Sequence, residues 1–216
     1  MPKKPSEKMK KSRSTGKTPL EKMDKILLAA MSRTEKTGWS DELLASKEAA
    51  ELFPDGAAGL VRHFHDWADR KMLEKISKTK GFRSLKIREK IAAAARARLE
   101  ELAPFKPAAE AALAWHARPW HAASGLKALY ATVDEIWKAA GDTATDYNFY
   151  TKRGLLAGVY SATLLFWLND KSENHTATWD FLARRIDNVL SLGKITGKAK
   201  TAAQNASAIL RRRKAA

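Results

Sequence analysis

Apolar side chains recur every three or four positions over most of the chain, and no stretch alternates apolar and polar residues as a half-buried strand does. This spacing predicts an all-α fold of about nine helices in one bundle, separated by glycine, proline and polar residues. We expect these helices over 19–36, 41–53, 57–64, 66–76, 84–102, 105–121 and 123–140, within 141–170, and over 178–192.

The stretch 141–170 reads GDTATDYNFYTKRGLLAGVYSATLLFWLND and is apolar on every side after its basic pair at 152–153. Its apolar part is shorter than the roughly 20 residues that cross a bilayer, so we expect a helix buried inside the bundle. Gly154, Gly158 and Ala162 recur every four residues, which lets another helix or a lipid chain approach closely. Tight helix packing and an apolar ligand cavity are both open alternatives.

A cavity would be lined by this helix and by the apolar face of the helix before it. The candidate lipid-binding residues on these two faces are Leu126, Tyr130, Val133, Trp137, Leu156, Val159, Tyr160 and Leu164.

The polar start of the stretch places Phe149 beside Tyr150. Neighbouring residues on a helix are about 100° apart, so the two rings cannot both face the core. An exposed aromatic ring close to arginine suits a partner interface, whereas packing of both rings against neighbouring helices is the alternative.

The 216 residues, 44% hydrophobic and 30% charged, suit one domain with a real core. The absence of cysteine excludes disulfides, thiolate metal sites and cysteine catalysis. The net charge of +16 is concentrated at the ends: residues 1–25 hold nine basic and three acidic residues, and 194–216 hold seven basic residues and no acid. Basic ends suit an anionic membrane surface or a nucleic acid, and a solvated tail is the alternative.

Candidate catalytic and metal-binding groups are sparse. His63 and His65 are two positions apart, and His116 and His121 are five apart, so neither pair has the i, i+4 spacing of two ligands on one helical face. We interpret the histidines as helix-end or surface residues. The chain also lacks an HExxH motif, a phosphate-binding glycine loop and a nucleophile elbow. We therefore expect a non-enzyme without a cofactor or metal.

Residues 24–76 are similar to the N-terminal domain of TetR-type repressors. DKILLAAMSRTEKTGWS resembles their first helix, and LVRHFHDWADRKMLEKI resembles the end of their recognition helix and the fourth helix. The resemblance implies a TetR-like fold and, as an alternative function, a DNA-binding transcriptional regulator. Residues 41–61 disfavour DNA contact, because five acidic residues and one basic residue would be repelled by the duplex.

The pattern DEIWKAAGDTATDYNFYTKRGLLAGVY, followed by TWDFLARRIDNVL, closely resembles the ubiquinone-biosynthesis accessory family known as the ninth Coq protein. The likeness runs from about residue 22 to the C-terminus and is most specific at 134–190. It implies a non-catalytic, dimeric TetR-like bundle whose cavity binds isoprenoid lipids such as ubiquinone precursors. It also implies a partner, the membrane-associated di-iron hydroxylase that acts on demethoxyubiquinone.

The family's partner-binding residues map onto Asn148, Phe149 and Tyr150, with Lys152 and Arg153 beside them. Phe149 stands where many relatives have tryptophan, so the resemblance does not by itself carry their affinity for the hydroxylase over to this chain.

The family's last helix is amphipathic and engages membranes. The matching candidates here are Lys194, Lys198, Ile209, Leu210, Arg211, Arg212 and Arg213. Each basic residue near an anionic surface contributes about 1 kcal/mol and is screened by salt, so we expect reversible attachment.

The resulting division of the chain is a disordered basic arm (1–19), a helix-turn-helix-like region (20–78), a lipid-binding and dimerisation region (79–193) and a membrane-associating tail (194–216). We expect a peripheral protein on the cytoplasmic face of a bacterial inner membrane, or on the matrix side of the mitochondrial membrane in a eukaryote.

Overall fold

The computed structural model describes residues 18–142 and 147–189, with only the backbone described for 147–149. These residues fold into helices, with no strand among them. The helices are α1 (Pro19–Met31), α2 (Thr34–Thr37), α3 (Lys47–Leu52), α4 (Gly56–Lys78), α5 (Ile87–Leu102), α6 (Lys106–His116), α7 (Ala122–Ala140), α8 (Tyr147–Asn169) and α9, described over 176–189. The predicted all-α bundle is confirmed, and the predicted arm and tail lie largely outside the described residues.

Local chemistry sets several helix ends. Thr18 begins α1 with a capping box: its hydroxyl accepts from the Glu21 amide at 3.2 Å, and the Glu21 carboxylate accepts from the Thr18 amide at 2.8 Å. Asp170 organises the entry to α9, where its carboxylate accepts from the amides of Ser172 at 2.7 Å and Thr178 at 3.0 Å. Gly141 ends α7 in the left-handed conformation, with φ of 92°.

The core lies where α5 packs against α4 and α7, and where α7 packs against α8. Its largest fully buried apolar side chains include Phe64 and Met72 of α4, Leu99 of α5, Ile136 of α7 and Trp167 of α8. The N-terminal region contacts these later helices through Trp39, whose indole N–H donates to the Ala108 carbonyl of α6 at 3.1 Å. The N-terminal region therefore packs on the same body as the later helices.

Several predicted helix bounds were wrong. The helix predicted over 41–53 is a 3-10 turn at Asp41–Leu44 followed by α3, and the helix predicted over 105–121 ends at His116. The pair predicted over 57–64 and 66–76 is one continuous helix, α4, because residues 60–78 contain no glycine or proline and Leu60, Phe64, Ala68 and Met72 form an unbroken buried stripe. The helix predicted over 19–36 is broken after Met31, with a separate short turn of helix at Thr34–Thr37.

Within 18–142 and 147–189, no helix is both long enough and apolar enough to span a bilayer.

Candidate functional site

A cavity of about 350 Å³ lies between α4, α5, α6, α7 and α8. Most of its wall is apolar, and small residues on α6 and at the start of α7 leave the space open. Its lining residues are Phe64, His65, Arg98, Leu102, Ala109, Ala112, Leu113, His116, Ala117, Ala122, Gly125, Leu126, Leu129, Thr132, Tyr160, Ser161 and Leu164. This volume is at the lower end of the range for small-molecule pockets.

One part of the wall is a buried polar cluster. Arg98 is only 3% exposed; its Nε donates to Asp69 Oδ1 at 2.6 Å and its Nη1 donates to the Tyr160 hydroxyl at 2.7 Å. The Thr132 hydroxyl donates to both Asp69 oxygens, at 3.0 and 3.1 Å. Burial opposes the charge of Arg98, but Tyr160 and Asp69 raise its pKa above the ordinary value. Burial raises the pKa of Tyr160, so the phenol stays protonated at neutral pH.

Two histidines from different helices meet at the same cavity. Nε2 of His65 lies 3.0 Å from Nε2 of His116, which requires one ring to donate and the other to accept. Burial lowers the pKa of His65 well below its ordinary value, and the charge of Arg98 and the neighbouring His116 act in the same direction. Burial also lowers the pKa of His116. The pair is therefore neutral at pH 7.

The interpretation of the histidines as helix-end or surface residues was wrong for His63 and His65, which lie inside α4, whereas His116 is the last residue of α6. His65 and His116 line the cavity, and His63 lies buried within α4, where its Nε2 is 2.8 Å from the Asp24 carboxylate. A spacing rule within one helix cannot find a pair that lies on α4 and α6. Among residues 18–142 and 147–189, no three potential His, Asp or Glu ligands cluster around a metal position.

The candidate lipid-binding residues divide into three groups. Leu126, Tyr160 and Leu164 line the cavity. Val133, Trp137, Leu156 and Val159 are buried in the core without lining it, and Tyr130 is 37% exposed. An apolar helical face in the sequence therefore does not distinguish core positions from cavity wall or from partly exposed positions.

The small-residue strip of α8 does not face the cavity. Gly154 and Gly158 are exposed, and a Cβ added at either would meet nothing within 4 Å among the described residues. The close approach expected at these two glycines is therefore not made inside the described chain. Leu155, Leu165 and Phe166 of the same helix are also exposed.

Ion pairs connect the first turns of α8 to α7 and to the residue Asp142 just after it. The Arg153 side chain is 2% exposed; its Nε donates to Asp134 Oδ1 at 2.6 Å and its Nη1 to Asp142 Oδ2 at 3.3 Å. Lys152 Nζ donates to Asp142 Oδ1 at 2.7 Å. The expected surface position of Arg153 is therefore wrong, because two carboxylates draw its guanidinium inward.

Tyr150, in contrast, is 67% exposed, and Lys152 is partly exposed. The side chains of Asn148 and Phe149 lie outside the described residues, as do the candidate tail residues Lys194 to Arg213. Of the predicted partner-binding set, Tyr150 and Lys152 are thus the side chains that the structure places at the surface.

Replacing Gly125 with alanine should disturb the cavity wall. A Cβ at Gly125 would lie 2.7 Å from the Cβ of His116, a separation that requires α6 or α7 to shift. We expect the free energy of unfolding to fall by about 1–3 kcal/mol, as for other overpacked sites. Urea unfolding measures this loss, and imidazole NMR reports the expected change at His65 and His116.

Gly158→Ala is the matched control, because its added methyl group meets no described neighbour. Alanine is the better helix former by about 1 kcal/mol, so this variant should be at least as stable as the wild type when both are measured at a concentration at which they are monomeric. Equal loss in both variants would mean that the contact with His116 is not the cause.

Comparison with known proteins links this site to one family. Residues 122–193 match the COQ9 family model. That match includes α7, α8 and the described part of α9, and with them the cavity residues from Ala122 to Leu164. The chain is similar to the COQ9 proteins, and the resemblance predicted from the sequence is confirmed.

Three curated relatives show the extent of the similarity. The mitochondrial ubiquinone biosynthesis protein COQ9 of Drosophila melanogaster is 31% identical over 179 residues, covering 78% of this chain and 55% of that protein. COQ9-A of Xenopus laevis is 34% identical over 182 residues, covering 78% and 57%. Human COQ9 is 29% identical over 191 residues, covering 82% and 60%. The chain thus spans a little over half the length of these relatives.

A solved structure confirms the TetR-like fold. The TetR transcriptional regulator from Nitrosomonas europaea superposes with a TM-score of 0.64 over 79% of this chain and 98% of that one. The two sequences are 22% identical, so the similarity concerns the fold alone.

Proposed function

We propose that this chain is a non-catalytic, lipid-binding accessory protein of ubiquinone biosynthesis. It holds an isoprenoid quinone intermediate at a membrane surface and assists the demethoxyubiquinone hydroxylase. The observation that carries this proposal is the apolar cavity of about 350 Å³, partly built by the segment that matches COQ9. The names of the relatives supply the pathway, ubiquinone biosynthesis.

The size and wall of the cavity suit a lipid. Apolar contact stabilises a bound ligand by about 25 cal/mol per Å² removed from water, and most of the lining side chains are apolar. Leu126 at the cavity edge is 67% exposed and Leu113 is 38% exposed, so a chain too long for the cavity would leave it past these leucines.

Lipid extraction tests the proposal directly. We expect the gently purified protein to carry an isoprenoid quinone or a related lipid, identified by mass spectrometry of the organic extract. A protein free of isoprenoid lipid, which also fails to take one up from vesicles containing a polyprenyl quinone, would contradict the proposal.

Tyr150→Ala should weaken hydroxylase binding without destabilising the fold. The ring is 67% exposed, so its removal takes little apolar area from the core, whereas exposed aromatic rings contribute strongly to interfaces. We expect at least about a tenfold higher Kd for the hydroxylase, a change of about 1.4 kcal/mol, with a melting temperature within about 2 °C of the wild type. Surface plasmon resonance and calorimetry measure the two quantities.

Lys171→Ala serves as the control, since this exposed lysine lies at the other end of α8. A large fall in melting temperature for Tyr150→Ala would instead assign the ring to the core.

We further propose that the chain forms a homodimer and is peripheral to the membrane. The exposed face of α8 around Gly154, Leu155 and Gly158 supports a dimer, because small residues allow a second helix to approach closely. Sedimentation velocity would contradict the dimer if only monomer is found at all concentrations.

For the membrane, removal of residues 194–216 should release the protein from anionic vesicles, and unchanged vesicle binding would reject this tail as the anchor.

The TetR-like fold favours DNA regulation as a second candidate, but the surface chemistry opposes it. At the start of α4, Asp41 accepts from the Ala57 amide at 2.7 Å and Arg62 is paired with Asp55. The basic residue nearest this helix start is therefore already neutralised. Specific nanomolar binding to the protein's own upstream DNA in a gel shift at near-physiological salt would reverse this ranking.

A further inference from the structure

Arg98 holds a hydrogen-bond donor that the protein does not use. Its Nε and Nη1 are bonded to Asp69 and Tyr160, but the buried Nη2 has no partner among the described residues. Burying a charged N–H group without an acceptor is costly, and native structures nearly always satisfy such groups. Since Arg98 lines the cavity, a ligand there can supply the missing acceptor.

The charge around this donor indicates what kind of acceptor fits. The positive charge of Arg98 is balanced by Asp69, whose carboxylate lies 2.6 Å from Nε. The other titratable lining groups, His65, His116 and Tyr160, are held in their neutral forms. A carboxylate or phosphate would therefore be buried next to Asp69 with no unpaired positive charge to balance it. An uncharged oxygen avoids that penalty.

Tyr160 adds a second donor beside the first. Its oxygen accepts from Arg98 Nη1 at 2.7 Å, and the phenol keeps its own O–H hydrogen to donate. Two neighbouring donors on a mostly apolar wall match an oxygen with two lone pairs, which a carbonyl provides.

We propose that the cavity recognises an uncharged lipid head group through a carbonyl-type oxygen that accepts from Arg98 Nη2, and that it discriminates against carboxylate and phosphate head groups. This inference rests on the proposed lipid-binding function and specifies the chemistry of the ligand. The head group lies against Arg98 and Tyr160, and the chain extends along the apolar wall towards Leu113 and Leu126.

Three probes with the same decyl chain test the inference on the full-length wild-type protein. They are 2-decyl-1,4-benzoquinone, decylbenzene and 4-decylbenzoate, each measured at pH 7.5 by displacement of Nile red. We expect the quinone to bind at least about tenfold more tightly than decylbenzene, since hydrogen bonds to charged groups are among the stronger ones. The benzoate should bind more weakly than the quinone.

The outcomes separate the two proposals. Equal affinity for the quinone and decylbenzene would overturn head-group recognition while leaving lipid binding in place. Tighter binding of the benzoate would overturn the preference for an uncharged group. Failure of all three probes to displace the dye would count against the lipid-binding function itself.

Variants then identify the donor. Arg98→Lys keeps the charge beside Asp69 but lacks the second guanidinium nitrogen, so the quinone preference should fall to about that of decylbenzene. If this variant does not fold, the double variant Arg98→Met/Asp69→Leu removes both charges together and should show the same loss of preference. Arg96→Lys, the same change on the exposed side of α5, is the control and should keep the preference. A quinone preference that survives in Arg98→Lys would overturn the assignment of Arg98.

Discussion

Replacing Arg153 with methionine is expected to lower the free energy of unfolding by about 3–5 kcal/mol, the usual effect of removing one partner from a buried ion pair. The guanidinium is almost fully buried and lies between Asp134 and Asp142, which connect the end of α7 to the start of α8. Without Arg153, both carboxylates keep their desolvation cost and lose this charge partner. Urea unfolding monitored by circular dichroism measures the change.

Lys138→Met is the matched control for this effect. Lys138 also contacts Asp134, at 2.8 Å, but its side chain is 57% exposed. Water screens such a pair, so we expect a loss below about 1 kcal/mol. Equal losses in the two variants would show that burial of Arg153 is not what makes its ion pairs strong.

The effect of Arg153 should depend on pH in a defined direction. Burial of Asp134 favours its protonated form, but hydrogen bonds from Lys138 and Arg153 outweigh this and lower its pKa. A carboxylate with a lowered pKa contributes its full stabilisation above the unfolded value of about 3.9 and loses it as the pH falls through the folded pKa. The difference between wild type and Arg153→Met should therefore be largest above pH 4 and should shrink in stronger acid.

Replacing Ala112 with tryptophan should largely abolish lipid binding while preserving the fold. Ala112 is buried on α6 and its methyl group faces the cavity, so the indole has free volume to enter. Displacing about 60 Å² of ligand contact removes about 1.5 kcal/mol of the free energy of lipid binding, which lowers the affinity roughly tenfold. We expect the amount of co-purified lipid per mole of protein, measured by mass spectrometry, to fall at least about tenfold.

Ala114→Trp is the control, since Ala114 lies on the exposed side of the same helix and does not line the cavity. Its lipid content should match the wild type. Full lipid content in Ala112→Trp would contradict the assignment of this cavity as the lipid site.

Much of the fold was predictable because helical burial leaves a regular pattern in the sequence. α5, α7 and α8 are found at the expected places, and the motif at 141–153 indicated the correct relatives. The boundary errors arose where tertiary packing outweighs local signals. The sequence pattern was divided into two helices at His65, but the buried residues Phe64, Trp67 and Ala68 on either side keep α4 continuous.

The candidate site was less predictable, because its residues come from five helices. Leu126, Tyr160 and Leu164 were predicted from the apolar faces of their helices. Arg98 was not predicted, because it lies in an alanine-rich helix with no motif around it. An arginine on a helix is ordinarily solvated, and nothing local shows that Asp69 and Tyr160, 29 and 62 positions away, meet it in the core.

By itself, the sequence determined the helical class, the COQ9-like motif and the apolar character of α7 and α8, since each depends on spacing within one segment. Only the tertiary structure decided which apolar residues line a cavity, that Arg153 is buried and that Gly154 and Gly158 are exposed on α8. It also decided that His65 and His116 meet beside Arg98. The physical reason is that burial and charge pairing depend on distances between helices, and the relative placement of helices is a property of the whole packed core.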